Sequence, residues 1–191
     1  MVGTRRLILL ALPALVLFVA GCGLTRTKTL VVTQTTTVTT TAATTTPTTM
    51  CSAGDLTGVF KAVPGSAGAG QISYELVVTN TASHDCIVTG LPTIQLLDAS
   101  GNNLPTHEDA AHPGQATAAL ITLHDGDSAS AQARFSPDVN GVGDSTNGAC
   151  QPQAATVRVV IGSGTLDAPV QPPTSVCEQG SLHVDVFTAS S

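Results

Sequence analysis

The 191-residue sequence has no tryptophan, one tyrosine and four phenylalanines, so aromatic side chains make up only 3% of it. Sugar-binding sites commonly stack rings on Trp or Tyr faces, and Tyr74 alone supplies no such platform. Charged residues are scarce as well, at 10%, which is poor material for long solvent-exposed helices. Basic residues are the scarcest. Of the seven, Arg5, Arg6, Arg26 and Lys28 precede Cys51. That leaves Lys61, Arg134 and Arg158 to face all thirteen acidic residues. A segment so anionic repels phosphate backbones and anionic headgroups, which argues against nucleic acid as a partner. No Cys-x-x-Cys occurs, so redox or zinc sites built on that spacing are excluded. Nor is there a Gly-x-Ser-x-Gly nucleophile elbow.

What is present begins with an address. Arg5 and Arg6 precede an apolar run at residues 7–20, interrupted only by Pro13. Its 14 residues fall short of the roughly 20 needed to cross a bilayer core, but they suit a signal-peptide core. The run ends in Val19-Ala20-Gly21-Cys22, which resembles the lipobox of bacterial lipoproteins. Small residues fit the extended strand that a signal peptidase binds, and the Cys22 thiol can accept a thioether-linked diacylglycerol. Residues 1–21 are therefore expected to be a lipoprotein signal peptide, with Cys22 the lipidation site carrying palmitate-type acyl chains. Two chains suffice for stable anchoring where one is marginal. Thr4-Arg5-Arg6-Leu7-Ile8-Leu9 also partly resembles a twin-arginine signal, although the strongly apolar core suits the general secretory route better.

Residues 22–50 are low in complexity and dominated by threonine, with no persistent apolar period. Nothing there can bury a face, so a disordered tether is expected. The 28 residues between Cys22 and Cys51 reach about 90 Å when fully stretched. Such a stalk is a candidate for O-glycosylation.

From Cys51 to Ser191 the pattern has period two. Ile72, Tyr74, Leu76 and Val78 alternate with more polar neighbours, as do Ala129, Ala131, Ala133 and Phe135, then Val157, Val159 and Ile161, then Leu182, Val184 and Val186. Each set turns one apolar face inward. Shorter strands are expected at 56–62, 93–98 and 116–122, with breakers such as Pro64-Gly65, Asp125-Gly126 and Asn140-Gly141 between them. No convincing helix appears. About seven strands in some 140 residues predict an all-β fold, an antiparallel sandwich.

With Cys22 set aside for lipid, Cys51, Cys86, Cys150 and Cys177 remain. An even number in an exported domain implies disulfides, and four cysteines allow three pairings. If 56–62 pairs antiparallel with 71–80, Cys51 returns close to Cys86. Cys51–Cys86 is thus the expected bridge, which leaves Cys150–Cys177.

Several stretches resemble one known pattern: Cys51; Val78-Thr79-Asn80; Cys86-Ile87-Val88-Thr89-Gly90-Leu91-Pro92; Leu96-Leu97-Asp98-Ala99-Ser100-Gly101; Asp125-Gly126-Asp127-Ser128-Ala129; Cys150; and Cys177 with Gly180-Ser181-Leu182-His183-Val184. The chain is similar over about residues 51–187 to the actinobacterial domain of unknown function 4232, carried on exported lipoproteins. The Cys…Gly-x-Pro stretch is the specific part. Asp127 departs from the pattern, where a glycine-like turn residue is more usual. The resemblance implies an immunoglobulin-like sandwich and an envelope location, and implies no activity or catalytic residue.

Four strings hold chemistry-bearing residues. His107-Glu108-Asp109-Ala110-Ala111-His112 places its second histidine five positions after the first, whereas a zincin helix needs four, and Pro105 and Pro113 flank it. It is expected to be a polar surface loop. His124-Asp125-Gly126-Asp127-Ser128 holds triad ingredients packed into a turn, where a working triad is assembled in space. Asp138, Asn140 and Asp144 imitate the first half of a calcium loop, but position five is Val142 and position twelve Ala149. The glycine-rich stretch at 65–70 lacks the Lys-Ser/Thr ending of a phosphate loop.

No catalytic residue, metal ligand or cofactor is assigned. The expected protein is a lipid-anchored lipoprotein on the extracytoplasmic face of the cell membrane. Its non-catalytic β-sandwich would bind a cell-wall polymer or an envelope protein. The alternatives are a structural spacer, or a metal-assisted hydrolase using His107, Glu108 and His112.

Overall fold

The computed structural model describes residues 49–114 and 118–190. The signal peptide, Cys22 and the tether as far as residue 48 lie outside the described residues. Part of the strand expected at 116–122 does too.

The strands, in chain order, are β1 (Thr49–Met50), β2 (Leu56–Ala62), β3 (Ile72–Asn80), β4 (Cys86–Val88), β5 (Thr93–Leu97), β6 (His107–Ala110), β7 (Ile121–Leu123), β8 (Ser128–Phe135), β9 (Ala154–Ile161), β10 (Gly164–Thr174), β11 (Ser181–Val184) and β12 (Thr188–Ala189). One sheet runs β5-β9-β10-β2-β3-β8-β11-β6, with β12 also on β8; a small sheet runs β1-β4-β7. The β10–β2 contact has only two residue pairs, Val170 with Phe60 and Gln171 with Lys61. At that narrow join the long sheet folds over, and the result is a β-sandwich approaching a barrel.

Alternation decides what lies inside. Tyr74, Leu76 and Val78 of β3, Ala129, Ala131 and Ala133 of β8, and Leu182 and Val184 of β11 are buried, and the residues between them are not, except Ser130. They share one core with Ile94, Leu96, Val157, Val159 and Ala168 from β5, β9 and β10, and with Val88, Ile121 and Leu123 from the small sheet. The core's large pieces are Phe60, Tyr74 and Phe135, with ring centroids 5.2 and 5.3 Å apart in sequence. Burial raises the Tyr74 phenol above its ordinary pKa, and its hydroxyl donates to the Pro172 carbonyl at 2.9 Å.

Pairing is mainly antiparallel, as the alternation predicts. Three contacts are parallel instead: β1 with β4, β2 with β10, and β6 with β11. All three are short, involving two to four residue pairs, and two of them involve strands (β1 and β6) at a sheet edge. The strand expected at 116–122 is the shorter Ile121–Leu123. Strand β10 is an addition to the expected set. It carries Pro169, Pro172 and Pro173, residues that cannot donate to a ladder. Its register with β9 slips after Pro169, so Pro172 and Pro173 fall where the pairing is already interrupted.

Among the described residues no strand pairs with the outer edge of β5, apart from a single bridge between Leu97 and Asn103, and side chains from the β6 region take a strand's place. The Glu108 carboxylate accepts from the Ile94 N–H at 2.6 Å, and the Thr106 hydroxyl accepts from the Leu96 N–H at 3.0 Å. The Gln95 amide donates to the Leu104 carbonyl at 2.8 Å. The two ends of the long sheet are thereby stitched together. An edge strand left open would be a template for aggregation.

The disulfides are Cys51–Cys86, with Cα atoms 4.8 Å apart, and Cys150–Cys177, 5.4 Å apart. The first forms as the hairpin argument requires: β2 and β3 pair antiparallel from Leu56–Asn80 to Ala62–Tyr74. Both bridges are the expected ones.

Candidate functional site

The histidine-rich segment is a strand over His107–Ala110, not the surface loop expected from its polarity. Its backbone pairs with Ser181–Val184, so it needs no apolar alternation of its own to be held. Successive strand residues point to opposite faces, so His107 and Glu108 diverge. His107 Nδ1 meets the Gln179 carbonyl at 3.0 Å, Glu108 closes the β5 edge, and His112 Nδ1 meets Asp185 Oδ1 at 2.9 Å. The three groups that a metal-assisted hydrolase would need are each engaged with a different partner.

The remaining strings serve the backbone. His124 pairs with Asp85 at 2.9 Å, and the Asp85 carboxylate raises its pKa. The Asp127 carboxylate accepts from the His124 N–H, the Asp127 N–H returns to the His124 carbonyl, and Gly126 takes φ 84° between them. This is a tight turn that carries the chain from β7 in the small sheet to β8 in the long one. Ser128 Oγ bonds Thr79 Oγ1 at 2.7 Å and so does not reach His124 as a nucleophile would.

The calcium-like string is a knot tied on Asp144. Its carboxylate accepts from the Gln151 amide at 2.8 Å and from the backbone N–H groups of Gly141 (2.8 Å), Glu178 (2.6 Å) and Gln179 (2.9 Å). The Gln151 bond, and then the backbone donors, hold its carboxyl well below the usual carboxylate range. Asn140 donates its amide to the Ser145 carbonyl, and Asp138 is exposed. Asp144 thus fixes the turn Cys177–Gly180, where Glu178 and Gln179 adopt left-handed φ of 55° and 60°. Among the described residues, the one metal-like grouping is Asp144 with Cys150 and Cys177. Those two sulfurs are bonded to each other and offer no thiolate.

A different set of residues converges on the outward face of β3, β8 and β11. Register places Ser73, Arg134 and His183 in one row across the three strands. In the next row Glu75 stands opposite Gln132, whose carbonyl accepts from the Asp185 N–H. Ser73, Gln132, Arg134, His183, Asp185 and His112 line a pocket of about 190 Å³. An adjoining cavity of about 300 Å³ shares His112 and Asp185 and turns apolar at Leu91, Ala110 and Val186.

Arg134 sets this face apart. Lys61 meets Glu75 at 3.8 Å, and Arg158 grips Asp167 with two bonds of 2.7 and 2.8 Å. Arg134 has no carboxylate within salt-bridge distance among the described residues, although thirteen acids share its domain. The sequence marked Arg134 only as a solvent-side position in an Ala-rich strand. The signal available there was its place among just three basic residues, with polar positions on two other strands at matching phase.

A family model described as "Domain of unknown function (DUF4232)" matches residues 51–188. No curated protein and no solved structure matches the chain. No helix among the described residues is long and apolar enough to cross a membrane.

Proposed function

The chain belongs to the DUF4232 family of domains of unknown function, and from that premise we propose that it is an exported lipoprotein. Its β-sandwich, held by Cys22 on the outer face of the cell membrane, binds a wall polymer or an envelope protein. The observation that carries this is the domain's covalent chemistry. All four cysteines after Cys22 lie in two bridges, and such bridges persist where the compartment is oxidising. A lipobox-like Val19-Ala20-Gly21-Cys22 upstream supplies the route there. Binding rather than catalysis is favoured because His107, Glu108 and His112 are separately engaged, whereas Arg134 faces a pocket unspent.

Detergent phase partitioning tests the anchor. Expressed in a host that processes lipoproteins, the wild-type chain should enter the Triton X-114 phase and incorporate labelled palmitate. Cys22→Ala should do neither. Wild-type protein that stays in the aqueous phase without label would refute the reading.

A further inference from the structure

We propose that the pocket around Arg134 is a binding site for a single carboxylate group. The proposal rests on the reading of the domain as a binding module and names the chemistry its ligand carries.

The donors come from strand register, not from a loop. Arg134 on β8 stands opposite Ser73 on β3 and His183 on β11, with Gln132 two residues along the same strand. Directly opposed side chains in a sheet lie about 5 Å apart at Cβ, so Ser73 and His183 flank Arg134 on either side, and all three line one pocket with Gln132. They bring a guanidinium fork, a hydroxyl, an imidazole and an amide. None of the four side chains makes an ion pair among the described residues. A guanidinium matches the two oxygens of a carboxylate with parallel, charge-assisted hydrogen bonds. The rigid strands beneath hold the donors in place before a ligand arrives, which limits the ordering cost of binding.

Charge decides which anion. Glu75 and Asp185 occupy the diagonal positions, Glu75 against Lys61 and Asp185 against His112. Acidic residues outnumber basic ones by ten from Cys51 onward. A dianion or a polyanion meets that field with every additional charge. One carboxylate brings a single negative charge to the Arg134 fork and the donors beside it. A pocket of about 190 Å³ admits such a headgroup with a few further atoms. The carboxylate can belong to a peptide terminus or to a sugar acid, and the face as described fits either.

The test is a titration of the full lipid-anchored chain in detergent at low salt, read at the arginine Nε–H resonances. The probes are N-acetyl-dialanine against its C-terminal amide, glucuronate against glucose, and inorganic phosphate. At least one carboxylate should shift the Arg134 resonance to saturation, while the amide and glucose should not. Whichever carboxylate binds identifies the source. Arg134→Gln should weaken binding about tenfold or more, as expected for loss of charge-assisted hydrogen bonds. Its melting temperature should stay that of the wild type, and Arg134→Lys should fall between.

No saturable shift from either carboxylate would overturn the proposal, as would equal binding of the amide or tighter binding of phosphate. The anchoring role is read separately. If Cys22 proves unlipidated the role fails whatever the titration shows, and if lipidated protein ignores both acids only the carboxylate assignment fails.

Discussion

Asn80 is fully buried at the end of β3, and its side chain is a three-way junction. The amide donates to the His84 carbonyl at 2.9 Å and to the Leu123 carbonyl at 3.0 Å, and Asn80 Oδ1 accepts from the Ala82 N–H at 3.0 Å. It therefore ties β3 to the loop before β4 and to β7 in the small sheet. Asn80→Ala removes a hydrogen bond from each of three backbone groups, one of them a fully buried carbonyl, and leaves a void where the amide was. At about 1 kcal/mol for each of the three lost hydrogen bonds, a loss of about 3 kcal/mol is expected. For a domain of roughly 140 residues that lowers the melting temperature by about 10 °C. Asn80→Asp is worse at neutral pH, because a carboxylate oxygen then faces two carbonyl oxygens away from water. Burial raises that carboxyl's folded pKa above its unfolded value of about 3.9. The variant's deficit should thus be smallest in acid and grow as the pH rises through that unfolded value. Urea unfolding from pH 3.5 to 7.5, followed by circular dichroism, measures both. An Asn80→Ala variant within about 0.5 kcal/mol of wild type, or an Asn80→Asp deficit independent of pH, would refute the reasoning.

Gly180 has φ 79°, and a Cβ there would overlap the Pro105 carbonyl. Gly180→Ala should lose more than the roughly 1–2 kcal/mol that a left-handed alanine alone costs, and thermal melts would expose a neutral result. Asp144 has a lowered pKa, so its contribution is present above about pH 4 and is lost as the pH falls through its depressed folded value. Asp144→Asn should flatten the acid limb of the stability profile, and an unchanged limb would contradict the assignment. Glu108→Ala strips the acceptor from the Ile94 N–H on the β5 edge. It should lose about 1–2 kcal/mol and speed aggregation measured by light scattering; Glu108→Gln, which keeps an acceptor oxygen, should recover most of both. Replacing Cys51 and Cys86 together by alanine frees a 35-residue loop, worth about 4 kcal/mol on the chain-entropy account of disulfides.

The long strands were legible because burial writes itself into a sequence as period two. β3, β8 and β9 each bury alternate residues along much of their length. β6 and β10 were not legible, for opposite reasons. β6 sits at an edge, and backbone pairing with β11 holds it without an apolar face. β10 buries only Ala168 and Val170 behind three prolines. Asn80 showed itself only as part of a family-like Val78-Thr79-Asn80, because its role depends on carbonyls four and 43 residues away. Asp144 looked like half a calcium loop for a similar reason. Its true partners, Glu178 and Gln179, lie 34 and 35 residues further along the chain. The row of Ser73, Arg134 and His183 needed the register of three strands at once. Alternation marks the outward positions of each strand but does not say which of them stand opposite one another.

Intact-mass analysis of the protein extracted from membranes of a lipoprotein-processing host weighs the whole account at once. The predicted species begins at Cys22, carries a diacylglycerol there, and gains no alkylation under denaturing, non-reducing conditions because its other four cysteines are oxidised. A chain that still begins at Met1, or one alkylated at Cys51, Cys86, Cys150 and Cys177, would contradict it.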